Sequence, residues 1–204
     1  MSYKSLFFLL FLFVGLFHES ISHARSIDPL LGLEALRKGF ADTTDFTAEI
    51  TQEKQLSIMK RTMTTTGVVR FKKPDVFFME IKPPYASRLL LRDNTIEQSN
   101  GKDNNKNRIV LPPEQSLKQW FSKLTTPFTK IPDGVELHAD LTASNYTLYI
   151  SPLKKGIVKE LAITFQPDGA IRKIIINEQN GDKTTMTFKK FRKNTGFAES
   201  DLNL

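Results

Sequence analysis

Asp45-Phe46-Thr47-Ala48-Glu49-Ile50-Thr51 is the stretch on which the fold turns. Phe46, Ala48 and Ile50 alternate with Thr47, Glu49 and Thr51, and a period of two sends the first set to one face of a strand and the second to the other. One face suits a core and the other suits water. Just upstream the spacing differs. After Asp28-Pro29, Leu30, Leu33, Leu36 and Phe40 recur at intervals of three and four, which predicts an amphipathic helix that Gly39 and Asp42 end.

Downstream, period two persists. Thr62 to Phe71 predicts a second strand, with Gly67 expected to mark a bulge. Pro74-Asp75 turns the chain into Val76 to Lys82, which Pro83-Pro84 must end. Arg88 to Arg92 is next, and Asp93-Asn94 forms a tight turn into Thr95 to Ser99. The polar run from Gly101 to Asn107 reads as a mobile hairpin tip. Pro112-Pro113-Glu114 favours a helix start, and Leu117, Trp120, Phe121 and Leu124 then form one apolar stripe before Pro127. The remainder is a meander: Val135 to Leu141, Asn145 to Ser151, Ile157 to Gln166, Ala170 to Asn177 and Lys183 to Arg192, separated by turn formers such as Pro167-Asp168-Gly169 and Asn180-Gly181-Asp182. The expected fold is mainly β. One large curved antiparallel sheet forms an open, incomplete barrel, and the few helices plug its concave face.

The first residues carry an address. Lys4 precedes an apolar run from Leu6 to Phe17, and Ser22-His23-Ala24 offers small side chains where a signal peptidase cuts. Residues 1–24 are expected to be a cleaved signal peptide, leaving 25–204 as one exported domain, with the periplasm as its compartment. The chain contains no cysteine, so neither disulfides nor a lipidated amino terminus are expected. A net charge of +7 comes from lysines and arginines scattered along the chain, as in Lys72-Lys73, Lys154-Lys155 and Lys189-Lys190. Dispersed cations of this kind suit solvated strand ends, and no nucleic-acid partner is expected.

Catalytic signatures are scarce. His138 is the one histidine beyond the leader, no GxSxG elbow or phosphate-binding glycine loop occurs, and no metal-ligand spacing is present. We therefore expect no catalytic residues, no metal and no cofactor, so the chain is not expected to be an enzyme. Aromatic content points elsewhere. Of sixteen phenylalanines, five lie in the leader, and the others recur on strands whose opposite faces are polar. Such a concavity suits an apolar ligand. On hydrophobic pattern, Phe77, Met79 and Ile81 are its lining, joined by Phe46, Phe71, Leu89 and Leu91; Leu117, Trp120, Phe121 and Leu124 are candidate lid residues.

Phe46 with Gln52 six residues on, Gly67 before Val69-Arg70-Phe71-Lys72-Lys73-Pro74, Phe77 to Pro84-Tyr85, and Asn180-Gly181-Asp182-Lys183-Thr184 followed by Met186, Phe188 and Phe197 together resemble the outer-membrane lipoprotein carrier family, LolA. The resemblance runs from Pro29 to Leu204. It implies an open barrel with a helical lid, a cavity for lipoprotein acyl chains or another acylated lipid, and a monomeric courier. Its implied partners are an inner-membrane ABC-type lipoprotein-releasing complex and a lipid-anchored outer-membrane receptor. It also implies an inward-pointing latch arginine on the third strand, and on alignment Phe78 stands there. Phe78 is therefore a further candidate for the cavity, against the hydrophobic pattern, which groups it with Glu80 and Lys82 on the opposite face. Loss of the latch leaves open a specialised lipid or polyene export carrier or adaptor, or an envelope-sensing scaffold.

Overall fold

Asp28 starts the first helix by accepting the Leu30 amide at 2.8 Å, with Pro29 at the first helical position. A computed structural model describes residues 24–100, 103–112 and 116–202. The leader expected at 1–24 lies outside them except for Ala24. Strand β1 (Arg25–Ile27) precedes helix α1 (Pro29–Phe40), and then come β2 (Asp45–Leu56), β3 (Arg61–Lys72), β4 (Val76–Ile81), β5 (Ser87–Arg92), β6 (Thr95–Asn100) and β7 (Asp103–Val110). Helix α2 (Leu117–Lys123) follows, then β8 (Val135–Leu141), β9 (Tyr146–Pro152), β10 (Val158–Phe165), β11 (Ile171–Glu178) and β12 (Lys183–Lys193), and a short 3₁₀ turn, Glu199–Leu202.

The twelve strands form one antiparallel sheet in the order β1-β8-β9-β10-β11-β12-β2-β3-β4-β5-β6-β7. It is not closed: β1 and β7 are its two edges. The seam between its halves is the β12–β2 pair, where Phe188 faces Ile50 and Met186 faces Gln52. Because β7 is one edge and β8 lies beside the other, the link carrying α2 must pass from one side of the opening to the other.

Three details differ from the sequence reading. Gly67 makes no bulge, since β2 and β3 stay in register from Asp45 opposite Lys72 to Leu56 opposite Arg61. Its role is close approach, because a Cβ there would lie 2.2 Å from the Glu80 carbonyl oxygen. The expected tip at 101–107 is instead mostly strand β7, paired with β6. A ladder needs only backbone groups, so an edge strand wet on both faces can lack the apolar alternation that marks a strand in sequence. Strand β1 and the 3₁₀ turn went unread because three or four residues carry no measurable period.

The face bearing α1 is the inner one. Leu33 packs with Leu137, Ala139, Leu148 and Phe165, and Phe40 packs with Phe46, Val69 and Phe71. Gly32 allows this seating, since a Cβ there would meet the Ala139 Cβ at 2.8 Å and Leu148 at 2.9 Å. Lysines fix the far end of α1. Lys73 Nζ donates to the Phe40 carbonyl at 2.5 Å and Lys193 Nζ to that of Gly39 at 2.8 Å, cations placed where the helix dipole is negative.

Asp45 locks the carboxyl-terminal segment to the start of β2. Its carboxylate accepts the Thr195 amide at 2.7 Å, the Thr195 hydroxyl at 2.8 Å and the Gly196 amide at 3.2 Å. Burial pushes this carboxyl up, but the bonds from Thr195, Gly196 and Thr44 outweigh it and hold the group below its ordinary value. A lowered folded value means stability that is present above the unfolded pKa and lost as pH falls through the folded one. Asp45→Asn is expected to remove about 1–3 kcal/mol at neutral pH. Urea midpoints taken from neutral pH downward should converge with wild type only in acid, and parallel curves at every pH would contradict this.

Candidate functional site: an apolar inner face

Register assembles the inner face row by row. Phe46 lies opposite Phe71, Phe71 opposite Phe77, Phe77 opposite Leu91, Leu91 opposite Ile96, and Ile96 opposite Ile109. One row therefore crosses six strands with an apolar side chain at every step. The next runs Ala48, Val69, Met79, Leu89, and a third runs Ile50, Gly67, Ile81.

Burial falls along the first row. Phe46 and Phe71 are buried under α1, with ring centroids 5.1 Å apart, and Phe40 meets Phe46 edge-on at 6.2 Å. Phe77, Leu91 and Ile96 are half-buried, and Ile109 is 55% exposed. Cover by α1 thus ends within the row, and burial beyond it is partial. Met79 and Leu89 are half-buried on the same floor, and Ile81 is buried. On the other half of the sheet Ile174 and Met186, opposite one another, are also half-buried. Phe46, Phe71 and Ile81 serve as core, whereas Phe77, Met79, Leu89 and Leu91 present accessible apolar surface.

Phe78 is elsewhere. It is 1% exposed and packs with Val76, Leu90 and Leu202, with Phe197 against the group, on the opposite face of the sheet. The Arg70 guanidinium lies 5.6 Å from its ring centroid. This corrects its place among the cavity residues: strand alternation allows only one parity inside, and β4 spends Phe77, Met79 and Ile81 there. No inner position of β4 carries an arginine.

Ile96 and Ile109 complete the apolar row and were missed in sequence. Ile96 is the single large aliphatic residue in its strand, and Ile109 lies in a continuous apolar run, Ile109-Val110-Leu111, that shows no alternation. Only the register aligns them with Leu91.

Helix α2 stands at the end of the sheet where β5 turns into β6. Leu117 is held by its amide to the Asp93 carbonyl at 3.1 Å, and Ser116 caps the helix by accepting the Gln119 amide at 3.2 Å. Between α2, the end of α1 and the β3–β4 turn lies a cleft of about 480 Å³, lined among others by Arg37, Phe40, Lys73, Pro74, Lys118 and Leu124. Leu124 therefore meets the cleft; Leu117 is half-buried beside the β5–β6 turn; the side chains of Trp120 and Phe121 lie outside the described residues. Burial pushes the Lys73 ammonium down. Arg37 is engaged by Glu34 through contacts of 2.7 and 2.5 Å. Among the described residues no group of His, Cys, Asp and Glu could hold a metal ion, and no helix is long and apolar enough to cross a membrane.

An open antiparallel barrel with a helix seated across part of an apolar face, and half-buried apolar floor beyond the helix, is a scaffold for binding. The chain belongs to the family described as outer membrane lipoprotein carrier protein LolA, whose model matches residues 41–201. No curated protein sequence matches it. Among solved structures it is similar to a LolA superfamily protein from Nitrosomonas europaea, at 7% identity and a TM-score of 0.46 over 87% of this chain and 98% of that one. It is also similar to a putative outer membrane lipoprotein-sorting protein domain from Vibrio parahaemolyticus (11% identity, TM-score 0.45, 86% and 97% covered). A third is the MucA/MucB complex of Pseudomonas aeruginosa (14%, TM-score 0.48, 87% and 61% covered).

Proposed function

We propose that this protein is a non-catalytic periplasmic carrier, exported through a cleaved leader, that shields the acyl chains of a lipoprotein or related lipid on the part of its inner face beyond α1. The observation carrying this reading is the apolar row from Phe46 to Ile109, whose burial declines toward the β7 edge. A partly accessible apolar floor beside a complete core is surface a protein has reason to keep for a ligand. Each acyl methylene transferred there contributes about 0.8 kcal/mol, so part of one chain suffices for useful affinity. In this reading an ATP-driven releasing complex at the inner membrane loads the protein, and a lipid-anchored receptor at the outer membrane unloads it.

Closure would rest on apolar contact from α2 and its flanks, because β4 offers Phe77, Met79 and Ile81 inward and no polar latch. That favours, as a second reading, a family member adapted to specialised lipid export rather than the ordinary lipoprotein cycle. A fluorescent fatty acid should bind saturably and be displaced by acylated lipid, with a change in the emission of Trp120, the chain's one tryptophan. Mass spectrometry of organic extracts would identify the cargo. Absence of saturable binding together with lipid-free extracts would refute the carrier reading.

A further inference from the structure

Three neighbouring hairpin turns at the end of the sheet away from α2 form a rim with an unusual surface. In the β2–β3 turn Ile58 is 89% exposed and Met59 62%. In the β9–β10 turn Leu153 is 61% and Ile157 76% exposed. The β11–β12 turn ties the two together. Gln179 donates its amide to the Ile157 carbonyl at 2.9 Å, and the Ser57 hydroxyl donates to the Asn180 carbonyl at 2.8 Å. Four large apolar side chains thus project from one end of the sheet, each mostly exposed among the described residues.

Their charged companions are mostly cationic. Within the three turns lie Lys60, Lys154 and Lys155 and a single carboxylate, Asp182. Asp182 is already engaged by the Ser57 amide at 2.8 Å. Arg61 and Lys183 flank the turns as further cations, and the flanking Glu178 lies 3.9 Å from the Lys54 ammonium.

We propose that this rim docks on an anionic lipid bilayer, with the apolar pairs entering at headgroup depth and the lysines meeting lipid phosphates. A protein partner would be matched by one continuous apolar patch. Here two small apolar prongs, each beside flexible ammonium groups that reach polar headgroups, match the boundary between acyl chains and headgroups. The proposal does not rest on the carrier reading, because the rim lies apart from the Phe77–Leu91 floor.

Sedimentation of the purified exported protein with vesicles of phosphatidylcholine alone, or of phosphatidylcholine with phosphatidylglycerol, tests it. Partitioning is expected on the mixed vesicles and to weaken as salt rises. Ile58→Asp with Met59→Ser should reduce it on the order of tenfold. Lys154→Gln and Lys155→Gln should each reduce it about fivefold. All variants should keep wild-type circular dichroism and fatty-acid affinity, so loss of acyl binding in the parent would count against the carrier reading alone. Protein left in the supernatant at every lipid composition overturns the proposal. So does partitioning that is equal on neutral vesicles or unchanged in the variants, and either result would leave a protein as the rim's partner.

Discussion

Phe78→Ala is expected to lower unfolding stability by about 3–5 kcal/mol, and to leave the acyl affinity of the folded protein unchanged. Phe78 is 1% exposed between Val76 and Leu90, and Leu202 of the carboxyl-terminal turn closes over it. Truncation would open a cavity beneath a segment that has little other apolar anchoring, so the site should relax poorly. Phe78→Arg should be worse. It would put a second guanidinium near Arg70, whose own charge already lies 5.6 Å from the ring, and it would block the docking of Leu202. Urea unfolding with a parallel fatty-acid titration separates the two readings of this position. A stability change below about 1 kcal/mol with altered ligand exchange would mean that the residue faces the cavity after all.

Leu91→Lys is the complementary experiment, with its largest effect on binding. Leu91 sits between Phe77 and Ile96 on the open floor and is half-buried, so the folded protein can let a lysine reach water. A bound acyl chain could not. It would have to cover an ammonium group, and affinity should fall on the order of a hundredfold or more, from the cost of desolvating an unpaired charge. Stability should change little. Glu97→Lys on the next strand, opposite Leu90 and hence on the outer face, makes the net charge more positive by a larger step and should not alter binding. Equal losses in both variants would point to a general electrostatic effect and remove the floor as the site.

These experiments probe different sides of β4, and β4 is where sequence reasoning divided. Local alternation groups Phe77, Met79 and Ile81, while alignment with a known family placed Phe78 inside. The structure sides with the alternation. A strand's two faces are set by backbone geometry, whereas a one-residue slip in an alignment of short motifs exchanges every inside residue for an outside one.

Much else followed from the chain alone. The helix from Pro29 to Phe40 has its cap, its starting proline and its apolar spacing within a few turns, and the long strands declare themselves through period two. Their energetics are local, so the signal is local. The mainly β architecture and the single sheet follow from those elements and from the lack of any other layer to bury them. The pairing of β2 with β12, the edge position of β7 and the short β1 beside β8 join residues far apart in sequence, or segments too short to show a period. So does the row from Phe46 to Ile109, which no single strand contains. Whether a half-apolar strand ends as core or as accessible floor depends on what covers it, and α1 covers Phe46 and Phe71 but leaves Leu91 half-buried and Ile109 exposed. That choice is made by packing between distant elements, so only the tertiary structure could make it.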